Sequence, residues 1–264
     1  MKAVFFDADG TLCDVVKGIT SKTIEAVNLL QSNGHMAFLC TARPRSFITP
    51  ELERIGFDGM ITSCGAYVTR KEVTDVKYEL ECEQAFRALC TLRENRFAVL
   101  MEGIENVYLD KDEYNMSVDD KIDTVINQIS GLLPILGNER LMRINKITAR
   151  PLRQCNIEKA FFELSDIFDV IRHEDNAVLI EAELVPKGFS KATGINVICE
   201  KLSIRRENTI AFGDSSNDIS MFEAVGFGVA MGNAPESLKK LAGYITTDFD
   251  RDGVYFGLKH LRLI

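Results

Sequence analysis

The apolar run Ala3-Val4-Phe5-Phe6 leads directly into Asp7-Ala8-Asp9-Gly10-Thr11-Leu12. Such an unbroken apolar run predicts a buried strand, and the sequence then sets two carboxylates just past its end. In open α/β sheets this is where ligands bind, because side chains leaving the sheet meet in a crevice that the core cannot fill. A plain turn would draw on the same Asp and Gly residues, so the rest of the chain has to separate chemistry from punctuation.

The segments that follow repeat the pattern. Ile24, Val27, Leu29 and Leu30 lie at helical spacing between Ser21, a candidate N-cap, and Gly34, a left-handed stop. Met36 to Cys40 is a second apolar run, ending at Thr41-Ala42-Arg43, and strand, helix, strand predicts a right-handed parallel crossover. Near the other end, Thr209 to Phe212 stops at Gly213-Asp214, and Gly228 to Ala230 and Tyr244 to Thr246 give two more short strands.

The middle reads differently. Strands are expected near Phe97 to Met101, Val107 to Asp110, Met142 to Thr148, Phe168 to Arg172 and Ala177 to Glu183, with helices between them. Paired strands of this kind predict an α+β module with its own antiparallel sheet, inserted at linkers near Tyr78 and Val185. The expected division is a core of residues 1–80 and 185–264 with an insert of 81–184.

The 264 residues and 46% hydrophobic content suit a globular chain with a sizeable core. A net charge of -8 disfavours nucleic acid and anionic membranes as partners, since both repel the chain at long range. No stretch approaches the length of a membrane span, and the first residues do not read as a cleavable signal, so a cytoplasmic protein is expected. The seven cysteines form no Cys-x-x-Cys pair, which points to a reducing compartment. Three scattered histidines leave little material for a zinc site or a Ser-His-Asp triad, so acid-base chemistry falls to carboxylates.

Three more segments sit at strand ends or before helices: Thr41-Ala42-Arg43, Pro186-Lys187-Gly188 and Gly213-Asp214-Ser215-Ser216-Asn217-Asp218. Singly, each reads as a cap, a solvated lysine or a polar turn. Together they resemble the haloacid dehalogenase superfamily, on Asp7 and Asp9, Thr41, Lys187, and Asp214 with Asp218. The large insert, Met231-Gly232-Asn233-Ala234 and Asp252-Gly253-Val254 resemble its Cof-like branch of phosphatases.

The resemblance implies an α/β fold: a Rossmann-like core with a parallel sheet, plus an inserted α+β cap that selects the substrate. It implies a Mg²⁺-dependent phosphatase acting on a small phosphorylated metabolite, with Asp7 as nucleophile forming an aspartyl-phosphate and Asp9 as acid, then base. Thr41, the Ala42 amide, Lys187 and Asn217 would hold the phosphoryl oxygens. The metal would take the Asp7 carboxylate, the Asp9 carbonyl and Asp214, with Asp218 as a further ligand or support. The physics agrees: a carboxylate approaching a phosphate dianion meets about 4 kcal/mol of repulsion per unit-charge pair at ~4 Å, so cations are required. A hexose phosphomutase and a noncatalytic metabolite-binding protein remain open on the same scaffold.

Other motifs carry less. Asp248 to Gly253 imitates an EF-hand start, but Lys259 stands where the bidentate Glu belongs; Gly226-Phe227-Gly228 lacks the third glycine, with Met231 in its place. Arg143, Lys146, Arg150 and Arg153 of the insert are candidates to face the site, with solvated strand and loop positions as the expected reading. One departure from the Cof-like pattern stands out: Cys64-Gly65-Ala66 occupies the place of the usual Asn-Gly-Ala, and a thiol lacks an amide's donors and acceptor. A packing or loop role is expected for Cys64.

Overall fold

The computed structural model describes residues 1–14, 16–114, 129, 131–175 and 177–264. They form two compact units: Met1–Arg43, Ile48–Lys77 and Phe189–Ile264 in the first, Pro44–Phe47 and Tyr78–Gly188 in the second.

In chain order the first unit begins with β1 (Ala3–Phe6), the small hairpin β2 (Cys13–Asp14) and β3 (Gly18–Ile19), β4 (Met36–Cys40), β5 (Gly59–Thr62), β6 (Tyr67–Arg70) and β7 (Val73–Lys77). The second unit supplies β8 (Phe97–Glu102), β9 (Val107–Tyr108), β10 (Leu132–Leu133), β11 (Lys146–Pro151), β12 (Phe168–Asp175) and β13 (Val178–Pro186). The chain then returns to the first unit for β14 (Thr209–Gly213), β15 (Phe227–Ala230) and β16 (Tyr244–Ile245).

The first unit's main sheet has the order β16-β15-β14-β1-β4-β5-β6-β7. It is parallel from β16 to β5, and β6 and β7 then add an antiparallel edge that the sequence reading did not resolve. Both faces are covered, which is why β1 shows no polar alternation. Val4 and Phe6 pack with Ala26, Val27 and Leu30 of helix Ser21–Ser32 and with Val254 and Leu258 of helix Gly253–His260. Ala3 and Phe5 face the other way, against Ile195 and Ile198 of helix Lys191–Leu202 and Met221 and Phe222 of helix Ile219–Ala224. The N-cap of the first helix is Thr20, one residue before the expected Ser21, because its side chain accepts from the Thr23 amide.

The second unit holds a mixed sheet of order β10-β9-β8-β11-β13-β12, antiparallel except for β10 on β9. One face of it packs Phe97, Val99, Ile147, Ala149 and Leu184 against Ala88 and Leu89 of helix Cys82–Glu94 and Phe161 of helix Ile157–Glu163. Of the helix expected before the third strand, Lys111–Tyr114 is described, and the rest of that reading lies outside the described residues. The strand expected over Met142 to Thr148 starts at Lys146 instead: Met142 and Ile144 are core residues without ladder pairing, so burial there imitated a strand. Lys146, read as solvated, is 3% exposed in an ionic cluster on the sheet. Among the described residues no helix is long and apolar enough to cross a membrane.

Candidate active site

Three ladder bonds run one residue beyond their strands. Asp7 N donates to Phe212 O at 3.0 Å, Thr41 N to Ile61 O at 2.8 Å, and Met231 N to Gly213 O at 3.0 Å. Asp7, Thr41 and Asp214 therefore leave the sheet together, at the carboxyl ends of the neighbouring strands β1, β4 and β14. The chain then turns tightly over Ala8, whose carbonyl accepts from the amides of Thr11, Leu12 and Cys13. Gly10 makes that turn at φ +77°, where a Cβ would stand 2.1 Å from Asp214 Oδ2. Only glycine suits both the left-handed backbone and this approach.

Asp7 and Asp218 are buried and Asp214 is half-buried, with carboxylate oxygens of the three within 4.8 Å of one another. Lys191, 1% exposed, spends all three ammonium donors here: 2.6 Å to Asp7 Oδ1, 2.6 Å to Asp218 Oδ1 and 3.0 Å to Asn217 Oδ1. Lys191 opens a helix that Ser190 and Thr193 cap reciprocally. Gly194 lets that helix approach the sheet, since a Cβ there would lie 2.4 Å from Ile61 Cγ2. The other oxygen of Asp218 accepts the amides of Asp214 (2.9 Å) and Ser215 (3.0 Å), folding the loop around itself. Thr11 Oγ1 donates to Asp214 Oδ1 at 3.2 Å, and Asn233 Nδ2 to Oδ2 at 3.1 Å.

Three carboxyl groups share one ammonium, and the acidities of Asp7 and Asp214 show the excess. Burial pushes the Asp7 carboxyl well above its ordinary range; Lys191 opposes this, while Asp218, Asp214 and Asp9 reinforce it. Asp214 is pushed up to about 7, by burial and by Asp218. Burial works against the Lys191 ammonium, but Asp218 and Asp7 outweigh it and hold the proton. An all-oxygen donor set with unbalanced negative charge fits a hard divalent cation.

Asp9 turns to a different partner. Its carboxylate is held bidentately by Arg43, with Nε 2.7 Å from Oδ2 and Nη2 2.5 Å from Oδ1. The Asp9 side chain remains 46% exposed while that of Arg43 is 6% exposed. Thr41 is buried, and its hydroxyl accepts from the Arg43 amide at 3.1 Å. The Ala42 amide makes no backbone hydrogen bond among the described residues.

Lys187 does not join this group. It follows β13 in the second unit, with its side chain exposed and its amide on Ile167 O at 2.9 Å; the lysine at the acids is Lys191. The strand-end pattern points to Lys187, whereas the signal for Lys191 is a lysine directly after a Ser N-cap and ahead of Ile195 and Ile198. Arg43 and Asn233 have no role legible in the sequence, because partners 34 and 19 residues away leave no local signature. Cys64 is buried in a loop where Ser63, Cys64 and Gly65 all have positive φ (47°, 51° and 92°), and its amide donates to Thr41 O at 3.2 Å. Asn is at home in that conformation and cysteine is not, which is the structural content of the departure at this position.

Residues 4–258 match the model of the haloacid dehalogenase-like hydrolases, and the chain belongs to that family. It is a phosphatase of the haloacid dehalogenase type, a hydrolase of phosphoric monoesters. YkrA of Bacillus subtilis, named as a candidate phosphatase, is 32% identical over 100% of this chain and 98% of its own length. The 5-amino-6-(5-phospho-D-ribitylamino)uracil phosphatase YitU of the same organism is 27% identical over 97% of this chain and 96% of its own. Among solved structures, the subclass IIB sugar phosphatase BT4131 superposes with a TM-score of 0.83 at 26% identity, covering 100% of both chains.

Proposed function

We propose that the chain is a Mg²⁺-dependent phosphatase of small phosphorylated metabolites that works through an aspartyl-phosphate on Asp7. The observation that carries this reading is the buried Asp7 carboxylate at the end of β1, pinned by Lys191 at 2.6 Å and grouped with Asp214 and Asp218, while Asp9 points to Arg43. The side chains of two acids two residues apart in the chain thus have separate partners and are suited to separate tasks.

Asp7 attacks the phosphorus, forming a new O–P bond as the bond to the leaving oxygen breaks, and Asp9 protonates that oxygen. In the second half Asp9 takes a proton from water, whose oxygen displaces Asp7 and releases inorganic phosphate. Arg43 takes one lone pair of each Asp9 oxygen in this structure and fixes the carboxylate's orientation, leaving the remaining lone pairs for proton transfer. Lys191 offsets the charge that gathers on the phosphoryl oxygens, and the Thr41 hydroxyl and Ala42 amide donate to them. Asn217 stays beside Lys191 as a positioning group.

Mg²⁺ would be held by Asp7 and Asp214 and by the Asp9 carbonyl, and when bound it supplies Lewis-acid neutralisation of the phosphate. Asp218, with one oxygen on Lys191 and the other on two amides, supports this set. The names of YitU and BT4131 favour a phosphorylated polyol or sugar as substrate, with the second unit selecting it. Phosphate release from a panel of such esters, with and without Mg²⁺, tests the reading. Turnover is expected with Mg²⁺ alone, and Asp7→Asn is expected to lose about a thousandfold or more. Equal release by wild type and Asp7→Asn would overturn it.

A further inference from the structure

Asn233 lies in Met231-Gly232-Asn233-Ala234, directly after β15. Its side chain makes three bonds to three separated parts of the first unit. Nδ2 donates to the Gly10 carbonyl at 3.0 Å and to Asp214 Oδ2 at 3.1 Å; Oδ1 accepts the Phe249 amide at 3.2 Å. The amide orientation is unambiguous. Turned over, the oxygen would face a carbonyl and a carboxylate, both acceptors, while the NH₂ group would face the Phe249 N–H. A carboxylamide at this place satisfies all three neighbours, and no other side chain of its length offers two donors with an acceptor.

We infer that Asn233 is a positioning residue for the divalent cation: it fixes Asp214, together with the Gly10 turn, in the orientation that receives the metal. This rests on the metal-dependent reading above. With Thr11 on Oδ1 and Asn233 on Oδ2, each Asp214 oxygen is held by one neutral donor and keeps lone-pair capacity toward the acid cluster. Thr11 is fully buried and set by the turn itself. Asn233 is exposed and comes from the far side of β14, so it is the one that ties the Asp214 loop to residues 10 and 249. A free carboxylate rotates about its Cβ–Cγ bond; the brace removes that freedom before the cation arrives. Outer hydrogen-bond partners of this kind orient the ligands and set metal affinity.

The test compares wild type with Asn233→Ala and Asn233→Leu, the second keeping the volume while deleting every bond. Mg²⁺ binding to the metal-free protein is measured by calorimetry, and melting temperature is measured in EDTA. Both variants are expected to bind Mg²⁺ about tenfold or more weakly. Their melting in EDTA should stay close to wild type, and kcat at saturating Mg²⁺ should recover to within a few-fold. Wild-type Mg²⁺ affinity in Asn233→Leu would overturn the inference and leave the phosphatase reading intact. Weaker binding accompanied by an equal loss of metal-free stability in both variants would also overturn it, since the role would then be structural. No Mg²⁺ binding by the wild type would bring down the metal-dependent reading and this inference with it.

Discussion

At the scale of single residues, the site depends on which lysine reaches the acids. Lys191→Ala is expected to lower kcat/KM by about 100- to 1000-fold, the scale of removing one preorganised electrostatic group from a site where charge develops. Lys187→Ala, an exposed substitution, should change it by no more than about twofold. Steady-state kinetics at saturating Mg²⁺ checks both, and equal effects would contradict the assignment. Gly10 is as demanding: Gly10→Ala forces a Cβ onto Asp214 at a positive φ and is expected to lower kcat/KM by about 100-fold or more, because small misplacements at a reacting centre have large effects. The strand-end acids were legible because each follows an apolar run. Lys191 was not, because its position is set by the cap and the close approach of a helix. Arg43 was hidden for a different reason, since nothing local says that it reaches back to Asp9.

At the scale of elements, alternation along the second unit's strands misled in an instructive way. Lys146 and Thr148 on β11, Glu102 on β8, and Glu183 on β13 fall on the sheet face opposite the helices, where charge predicts solvent. They are buried instead: Lys146 lies 3.2 Å from Glu102 and 3.1 Å from Glu183, Thr148 bonds Glu102, and His173 of β12 is 2.7 Å from Glu183. Burial pushes the Glu183 carboxyl up, but Lys146 and His173 outweigh it and hold it well below its usual range. The bond to Glu183 raises the His173 imidazole above its ordinary value, against burial.

The signs follow from linkage. A depressed Glu183 adds stability above about pH 4.5 that is lost as pH falls further; a raised His173 adds stability below about pH 6.5 that is lost as pH rises through its folded value. These groups therefore favour the folded state most between about pH 4.5 and 6.5. Thermal melts of His173→Gln across pH 5 to 9 are expected to show a flatter alkaline limb than wild type, and parallel curves would contradict the ion pair. Glu183→Gln is expected to destabilise by about 3–5 kcal/mol, since it leaves Lys146 short of a buried partner.

At the scale of the whole molecule, the parallel strands β1, β4, β14, β15 and β16 and the acids after β1 and β14 were readable from apolar runs and their terminators. The antiparallel edge β6-β7 was not, because Val73–Lys77 is largely exposed and carries no core pattern. The first unit sets three carboxyls against one ammonium, so Mg²⁺ should stabilise the fold by about 2.7 kcal/mol at a concentration 100 times its dissociation constant. Thermal melts with and without Mg²⁺ check this, and Asp214→Asn is expected to abolish the shift.

In the proposed reaction Asp7 carries the phosphoryl group. Acid-quenched turnover of a phosphoric monoester with Mg²⁺, followed by mass spectrometry of the peptide containing Asp7, tests it most directly. A phosphoryl group on Asp7 that forms and decays at rates compatible with turnover, and is absent in Asp7→Asn, is the predicted result. Full turnover with Asp7 unmodified at every quench time, and phosphate release by Asp7→Asn undiminished, would contradict it.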